Sequence, residues 1–251
     1  MYIMPFVEAP TYDYSDTRKR TSSSYVKFSP DYRVILRMLN PQAKLVWKHW
    51  LSEANAGRGM MANCPNTSSQ IRPCPIEKSL VGLAKDNTQL LERRAKKRYI
   101  VNVLDRTPYT ICNACNDDTP KAQVCQTCGA TLKNHDFGPL NRVKLLEGGP
   151  RLFVENLMAV EKMQKEDFPE AEITDYDITF TTTGIGRERR IAPIPQAPSV
   201  LPEDALLNSE TGETQSLFDL DLLAEPSSLE EINLMLTGAT LEEINATRGV
   251  V

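Results

Sequence analysis

Four cysteines fall within seventeen residues, spaced Cys112-x2-Cys115, nine residues, then Cys125-x2-Cys128, in a chain that holds only six. Two such pairs form two knuckles whose thiolates can surround one zinc ion tetrahedrally at about 2.3 Å each. Asn116 and Gly129, one residue past each pair, are types that accept left-handed backbone angles, which turn backbone N–H groups towards the sulfurs. Asp117-Asp118-Thr119-Pro120 supplies the turn between them. A redox couple needs a single pair at the start of a helix, and no helical pattern follows either pair. A catalytic zinc keeps one coordination position open, whereas four thiolates close the shell. The cluster therefore reads as a structural zinc ribbon, a module that folds around its own metal and needs no core from its host.

Composition places the rest among ordinary soluble proteins of one or two domains, with 41% hydrophobic and 25% charged residues in 251. No run reaches the roughly 18 apolar residues of a membrane helix, and the opening MYIMPFVEAPTYDYSDTRKR lacks the order of a secretory signal. The expected compartment is a cytoplasm, where clustered thiols hold metal more often than they pair. The net charge of −4 averages two unlike regions. Residues 197–251 carry eleven acidic residues against Arg248 alone, which leaves 28 Lys/Arg against 22 Asp/Glu before them. That asymmetry suggests a body that meets a polyanion and an acidic tail that competes with it or recruits a partner.

Along the chain, residues 1–30 lack periodicity and read as a flexible arm. YRVILRML (32–39) and KLVWKHWL (44–51) read as strands, IEKSLVGLAKDNTQLLERRAKKR (76–98) as a helical stretch that Gly82 or Asp86-Asn87-Thr88 splits, and YIVNVLD (99–105) as a strand. After the insert, at about 108–136, come a strand (141–149), a helix behind Pro150, a strand (173–184) and RERRIAPI (187–194). Short strands with two substantial helices suggest an α+β, mainly β protein: a small barrel or strongly curved sheet with helical decoration and a disordered acidic tail from 197. LEEIN occurs at 229–233 and again at 241–245, each copy able to form an acidic amphipathic turn for a partner groove.

The two remaining cysteines form a second, imperfect ligand set with one of the two histidines, His49-x14-Cys64-x9-Cys74-Pro75-Ile76-Glu77. A fourth cysteine at position 77 would complete a zinc knuckle. Glutamate stands there instead, and zinc accepts carboxylate oxygen. A histidine on a strand, a cysteine, Cys-Pro before a helix and a basic run into a Tyr-containing strand together resemble the single-stranded DNA-binding (helix-destabilising) proteins of T-even-like phages, over residues 31–196. The resemblance implies an OB-fold core, a structural zinc on His49, Cys64 and Cys74 with Glu77 in place of the fourth cysteine, and an acidic tail that recruits replication and recombination proteins. It also implies self-association along DNA and a host cytoplasm. The ribbon at 112–128 departs from that family's pattern as an insertion.

Gripping a single strand without reading sequence needs cations for phosphates and flat side chains for unstacked bases. Candidates are Arg93, Arg94, Lys96, Lys97 and Arg98 before Tyr99; Arg187, Arg189 and Arg190 after a glycine-flanked turn; Arg142 and Lys144; and the aromatic rings of Trp47 and Tyr109, with Trp50 and Phe153 as further rings. A metal-dependent nuclease built on Asp175, Asp177 and His135-Asp136 is one competing reading, and a zinc-ribbon adaptor of replication or transcription another. No Ser/His/Asp set, phosphate-binding glycine loop or HExxH occurs, so the chain reads as a binding protein and not an enzyme.

Overall fold

The computed structural model describes residues 24–28, 30, 33–66, 74–111, 118–120, 128, 141–184, 188–207 and 212–247. In chain order the elements are β1 (Val34–Met38), β2 (Lys44–Leu51), α1 (Ala54–Gly57), β3 (Met60–Asn63), α2 (Pro75–Ser79), α3 (Thr88–Arg93) and β4 (Lys96–Asp105). There follow β5 (Tyr109–Ile111), β6 (Asp118–Pro120), β7 (Arg142–Gly148), a π-helical turn (Arg151–Leu157) that runs into α4 (Met158–Asp167), β8 (Asp177–Thr183) and β9 (Arg190–Pro195). The chain ends in three helices, α5 (Leu220–Ala224), α6 (Leu229–Leu236) and α7 (Leu241–Thr247). The protein is α+β with mostly antiparallel pairing. No helix among the described residues is long and apolar enough to cross a membrane.

The fold divides into two compact units. The sheet unit holds residues 24–44 and 99–218, and the cysteine unit holds residues 45–98 and 219–247. This division cuts across the expected core at 31–196, because the segment after 218 belongs to the same unit as His49 and Cys64.

In the sheet unit the strands run β7-β4-β1-β8-β9, each pair antiparallel. Alternation sets which residues are inside: Val34, Leu36, Val101, Val103, Ile178 and Phe180 point into a core closed by Leu152, Phe153, Leu157 and Val160 of the helical face. The expected closed barrel does not form. β9 contributes Pro193 and Pro195, which have no N–H to offer a further strand, and the outer edge of β7 is met by Tyr25, bridged in parallel to Leu145. Arg37 lies fully buried in this unit. Its Nε stands 2.7 Å from Asp177 Oδ1, and its other nitrogens donate to the carbonyls of Thr174 and Ser199 and to Ser199 Oγ. All of its nitrogens are thereby satisfied, as a buried cation requires. Asn102, buried in β4, exchanges two hydrogen bonds with the backbone of Phe218 and so ties the end of this unit's chain to the sheet.

The cysteine unit corrects the expectation of a disordered acidic tail. Ile232, Met235 and Ile244 are fully buried against Leu51, Ala54 and Ile76, so α6 and α7 belong to this unit's core. Each LEEIN copy is preceded by a hydroxyl residue, and the glutamate three positions on completes a capping box. Ser228 Oγ accepts from Glu231 N while Glu231 Oε2 accepts from Ser228 N, and Thr240 and Glu243 do the same. The acidic residues that look like solvating charge thus serve helix starts, with the helix dipole in their favour. The basic stretch also differs from expectation: the helix stops at Arg93, and Lys96–Arg98 open β4.

A direct consequence concerns stability. Ile232→Ala should cost about 2–5 kcal/mol in chemical denaturation, the usual loss for truncating a buried isoleucine. Leu229→Ala, at a position 52% exposed, should change it by less than about 0.5 kcal/mol. Equal, negligible effects at both would contradict a folded tail.

Candidate metal centre

Three donors converge inside the cysteine unit. β2 buries His49 completely and turns Trp50 to the opposite, exposed side. Cys64 is the residue after β3, and Cys74 the residue before α2, whose first position is Pro75. The ligand atoms of His49, Cys64 and Cys74 all lie within 4.8 Å of one another, and the three residues are buried. A tetrahedral ion bonded at about 2.0–2.3 Å spaces its ligands roughly 3.5–4 Å apart, close to the spacing of this group, which could therefore hold a metal ion.

The surroundings orient each donor. His49 Nδ1 lies 2.6 Å from the carbonyl oxygen of Arg93. A carbonyl only accepts, so Nδ1 carries the hydrogen and Nε2, 3.4 Å from Cys74 Sγ, is the nitrogen that meets the thiols. The backbone N–H of Asn66 donates to the Cys64 sulfur and that of Glu77 to the Cys74 sulfur. Hydrogen bonds of this kind stabilise thiolates. Glu77, in the first turn of α2, is not one of the three convergent donors. Its carboxylate accepts from the side-chain amide of Asn66.

The thiols share their proton unequally. The hydrogen bond with Cys64 holds Cys74 well below the usual thiol range, against burial and with help from His49. The same bond, followed by burial, pushes Cys64 up. Burial pulls His49 down, but its bonds to Cys74 and to the Arg93 carbonyl outweigh this and raise it. Metal binding needs thiols in their thiolate form, so loading such a site releases protons.

Asn66 and the Arg93 carbonyl were not legible as parts of the site. The signal that could have exposed the pair of knuckles is the dipeptide Cys-Pro, which occurs at Cys64-Pro65 and again at Cys74-Pro75.

The ribbon cysteines Cys112, Cys115 and Cys125 lie outside the described residues, as do the arm before residue 24, His135, Asp136 and Arg187. Cys128 is exposed in a turn. The antiparallel strands β5 and β6 register Tyr109 with Pro120 and Ile111 with Asp118. Of Tyr109 only the backbone is described.

The candidate cations separate by unit. In the cysteine unit, Arg94, Lys96 and Lys97 are exposed and Arg98 is half-buried. The Lys97 ammonium stands 5.2 Å from the centre of the Trp47 ring, a cation–π contact. Arg93 is engaged by Glu53 at 2.9 Å. In the sheet unit, Arg189 and Arg190 are exposed, Arg142 is half-buried, and Lys144 is buried with its ammonium 2.7 Å from Asp105. Lys144 therefore offers no charge to the surface. Asp177 is held by Arg37 and, at 3.4 Å, by Arg106, while Asp175 caps a turn by accepting from Glu172 N.

The sheet unit also carries a cleft of about 320 Å³ beside the π-helical turn. Tyr99 and Phe153 are among its lining and stack on each other with ring centres 5.5 Å apart and planes 24° apart. Val101, Leu157 and Met158 add apolar walls, and Asn40, Gln42 and Glu161 are its polar lining. Gly148 makes the close approach of the helical turn possible, since a Cβ there would sit 2.7 Å from Leu152 Cδ2. No protein-family model matches the chain, and no curated protein does either.

Replacing the four ribbon cysteines by serine should leave a chain that still binds one equivalent of divalent metal, counted by elemental analysis. Adding Cys74→Ser should abolish it. Zero metal in the first variant would dispose of the centre.

Proposed function

We propose that this chain is a single-stranded DNA-binding protein that grips unpaired nucleotides by charge and stacking without reading sequence. Structural zinc sits at the His49, Cys64 and Cys74 centre and a second at the ribbon. The observation that carries the reading is the cleft lined in part by the stacked rings of Tyr99 and Phe153. A concave apolar slot with an aromatic stack and two amide side chains, Asn40 and Gln42, suits a planar base whose edge carries donors and acceptors. The sheet unit would then play the part that an OB-fold plays in proteins of this kind, as a curved surface on which bases lie.

Cations support the reading in both units. Arg94, Lys96 and Lys97 with the Trp47 ring form one exposed basic and aromatic group, and Arg189 and Arg190 form another. Neutralising phosphates in this way makes binding fall steeply with salt. Zinc suits the metal centre because two thiols and an imidazole are the borderline-soft donors it prefers, and at a buried site it acts as a fold element and not as a catalyst. Glu77 is the nearest side chain in sequence able to complete the shell. The acidic α6–α7 segment keeps Glu230, Glu242 and Glu243 exposed, a surface for basic partners in replication or recombination.

The test is fluorescence anisotropy with labelled oligo-dT. Tyr99→Ala should weaken binding roughly 5- to 150-fold, the effect of about 1–3 kcal/mol of stacking per base. Lys97→Ala should lower the salt slope by about one. Duplex DNA of equal length, at equal salt, should bind orders of magnitude more weakly. Equal affinity for duplex and single strand would instead favour a zinc-ribbon adaptor that docks on duplex.

A further inference from the structure

The two segments that carry the thiols are the two segments on which the C-terminal helices rest. Asn63, the residue before Cys64, donates through its side-chain amide to the carbonyls of Leu223 at 2.9 Å and Glu225 at 2.7 Å. Its backbone exchanges two further bonds with Ser227, one to the hydroxyl and one from the amide. On the other side, α2, which starts immediately after Cys74, packs Ile76 into the same buried cluster as Ile232 and Met235 of α6. Cys64 and Cys74 are themselves members of that cluster.

A third contact shows how much this end of the chain holds in place. Asn55 and Ala56 both adopt φ of 52°, a left-handed conformation costly for residues other than glycine. Their N–H groups donate to the carbonyls of Ala239 and Gly238, in the link between α6 and α7. The α1 turn is thus kept in an unfavourable geometry by bonds to the C-terminal pair.

From these contacts we infer that metal binding at His49, Cys64 and Cys74 and docking of α6–α7 are one coupled equilibrium. The metal ties Cys64 to Cys74 and so fixes the Asn63 clamp and the Ile76 face that the helices need. The docked helices in turn hold the two thiol segments at ligating distance. Coupling of this kind is reciprocal: whatever removes the metal releases the helices, and whatever displaces the helices weakens the metal. Metal loss, or a partner that captures α6–α7, would uncover Ile232, Met235 and Ile244 together with the two acidic repeats. The metal centre would therefore govern whether the acidic repeats are presented as a docked surface or a free segment.

This rests on the metal centre proposed above, and hydrogen–deuterium exchange on the full zinc-loaded chain separates the two. Cys64→Ser should speed exchange of amides 229–247 at least tenfold and leave β1 and β8 of the sheet unit unchanged. Cys112→Ser, in the ribbon, should leave 229–247 as in the parent. In the reciprocal experiment, Asn63→Ala should raise the zinc Kd at this centre at least tenfold, measured by competition with a chromogenic chelator in the ribbon-free background. If the ribbon-free chain binds zinc and Cys64→Ser abolishes that binding without altering exchange in 229–247, the coupling is wrong and the centre stands. If the ribbon-free chain binds no zinc, both fall together.

Discussion

Two thiols and an imidazole, fully enclosed and within 4.8 Å of one another, are the constraint on which the cysteine unit depends. Such groups are costly to bury unless each finds a partner, and apolar packing has no reason to draw three of them to one point. The chain reaches this arrangement from distant stretches: a strand that supplies the ring, a strand end that supplies one sulfur and a helix start that supplies the other. Backbone groups do the orienting, with the Arg93 carbonyl on the ring and the amides of Asn66 and Glu77 on the sulfurs. A shared cation would turn this local polar expense into the strongest tie in a unit whose helices are all short.

The sheet unit solves a similar problem without a metal. Arg37, Asp177 and Arg106 form a charged cluster whose central guanidinium is wrapped by carbonyls and a hydroxyl, and Asp105 neutralises Lys144. These charges fix strand register: Arg37 and Asp177 are direct neighbours across β1 and β8, and Asp105 registers with Leu36 of β1. In the same unit, the π-helical turn places Phe153 over Tyr99 and leaves a slot beside it. π-helical turns are uncommon and often mark sites of use, because one extra residue re-aims a side chain at the cost of regular hydrogen bonding.

Much of this was legible in the chain itself. The β-branched runs at 34–38, 99–105 and 177–183 form strands, and the His49, Cys64 and Cys74 spacing brings its three residues together. Two things were hidden by composition. Eleven acidic residues after position 196 suggest a solvated tail, yet Ile232 and Met235 share one buried face of α6, Ile244 is buried in α7, and Ser228 with Glu231 and Thr240 with Glu243 are capping pairs. Arg93 to Arg98 look like one basic helix end, but the helix stops at Arg93 and Lys96–Arg98 already belong to the strand that continues into the buried run 100–105. Glu77 was readable as a substitute ligand by position alone. Its carboxylate partner, Asn66, lies eleven residues away in sequence and only the fold brings it near.

The most direct measurement is X-ray absorption at the zinc edge of the chain with Cys112, Cys115, Cys125 and Cys128 replaced by serine. Two sulfur scatterers at about 2.3 Å with two nitrogen or oxygen scatterers at about 2.0–2.1 Å are the result this account predicts. A shell of nitrogen and oxygen alone, showing that zinc sits away from Cys64 and Cys74, would contradict it.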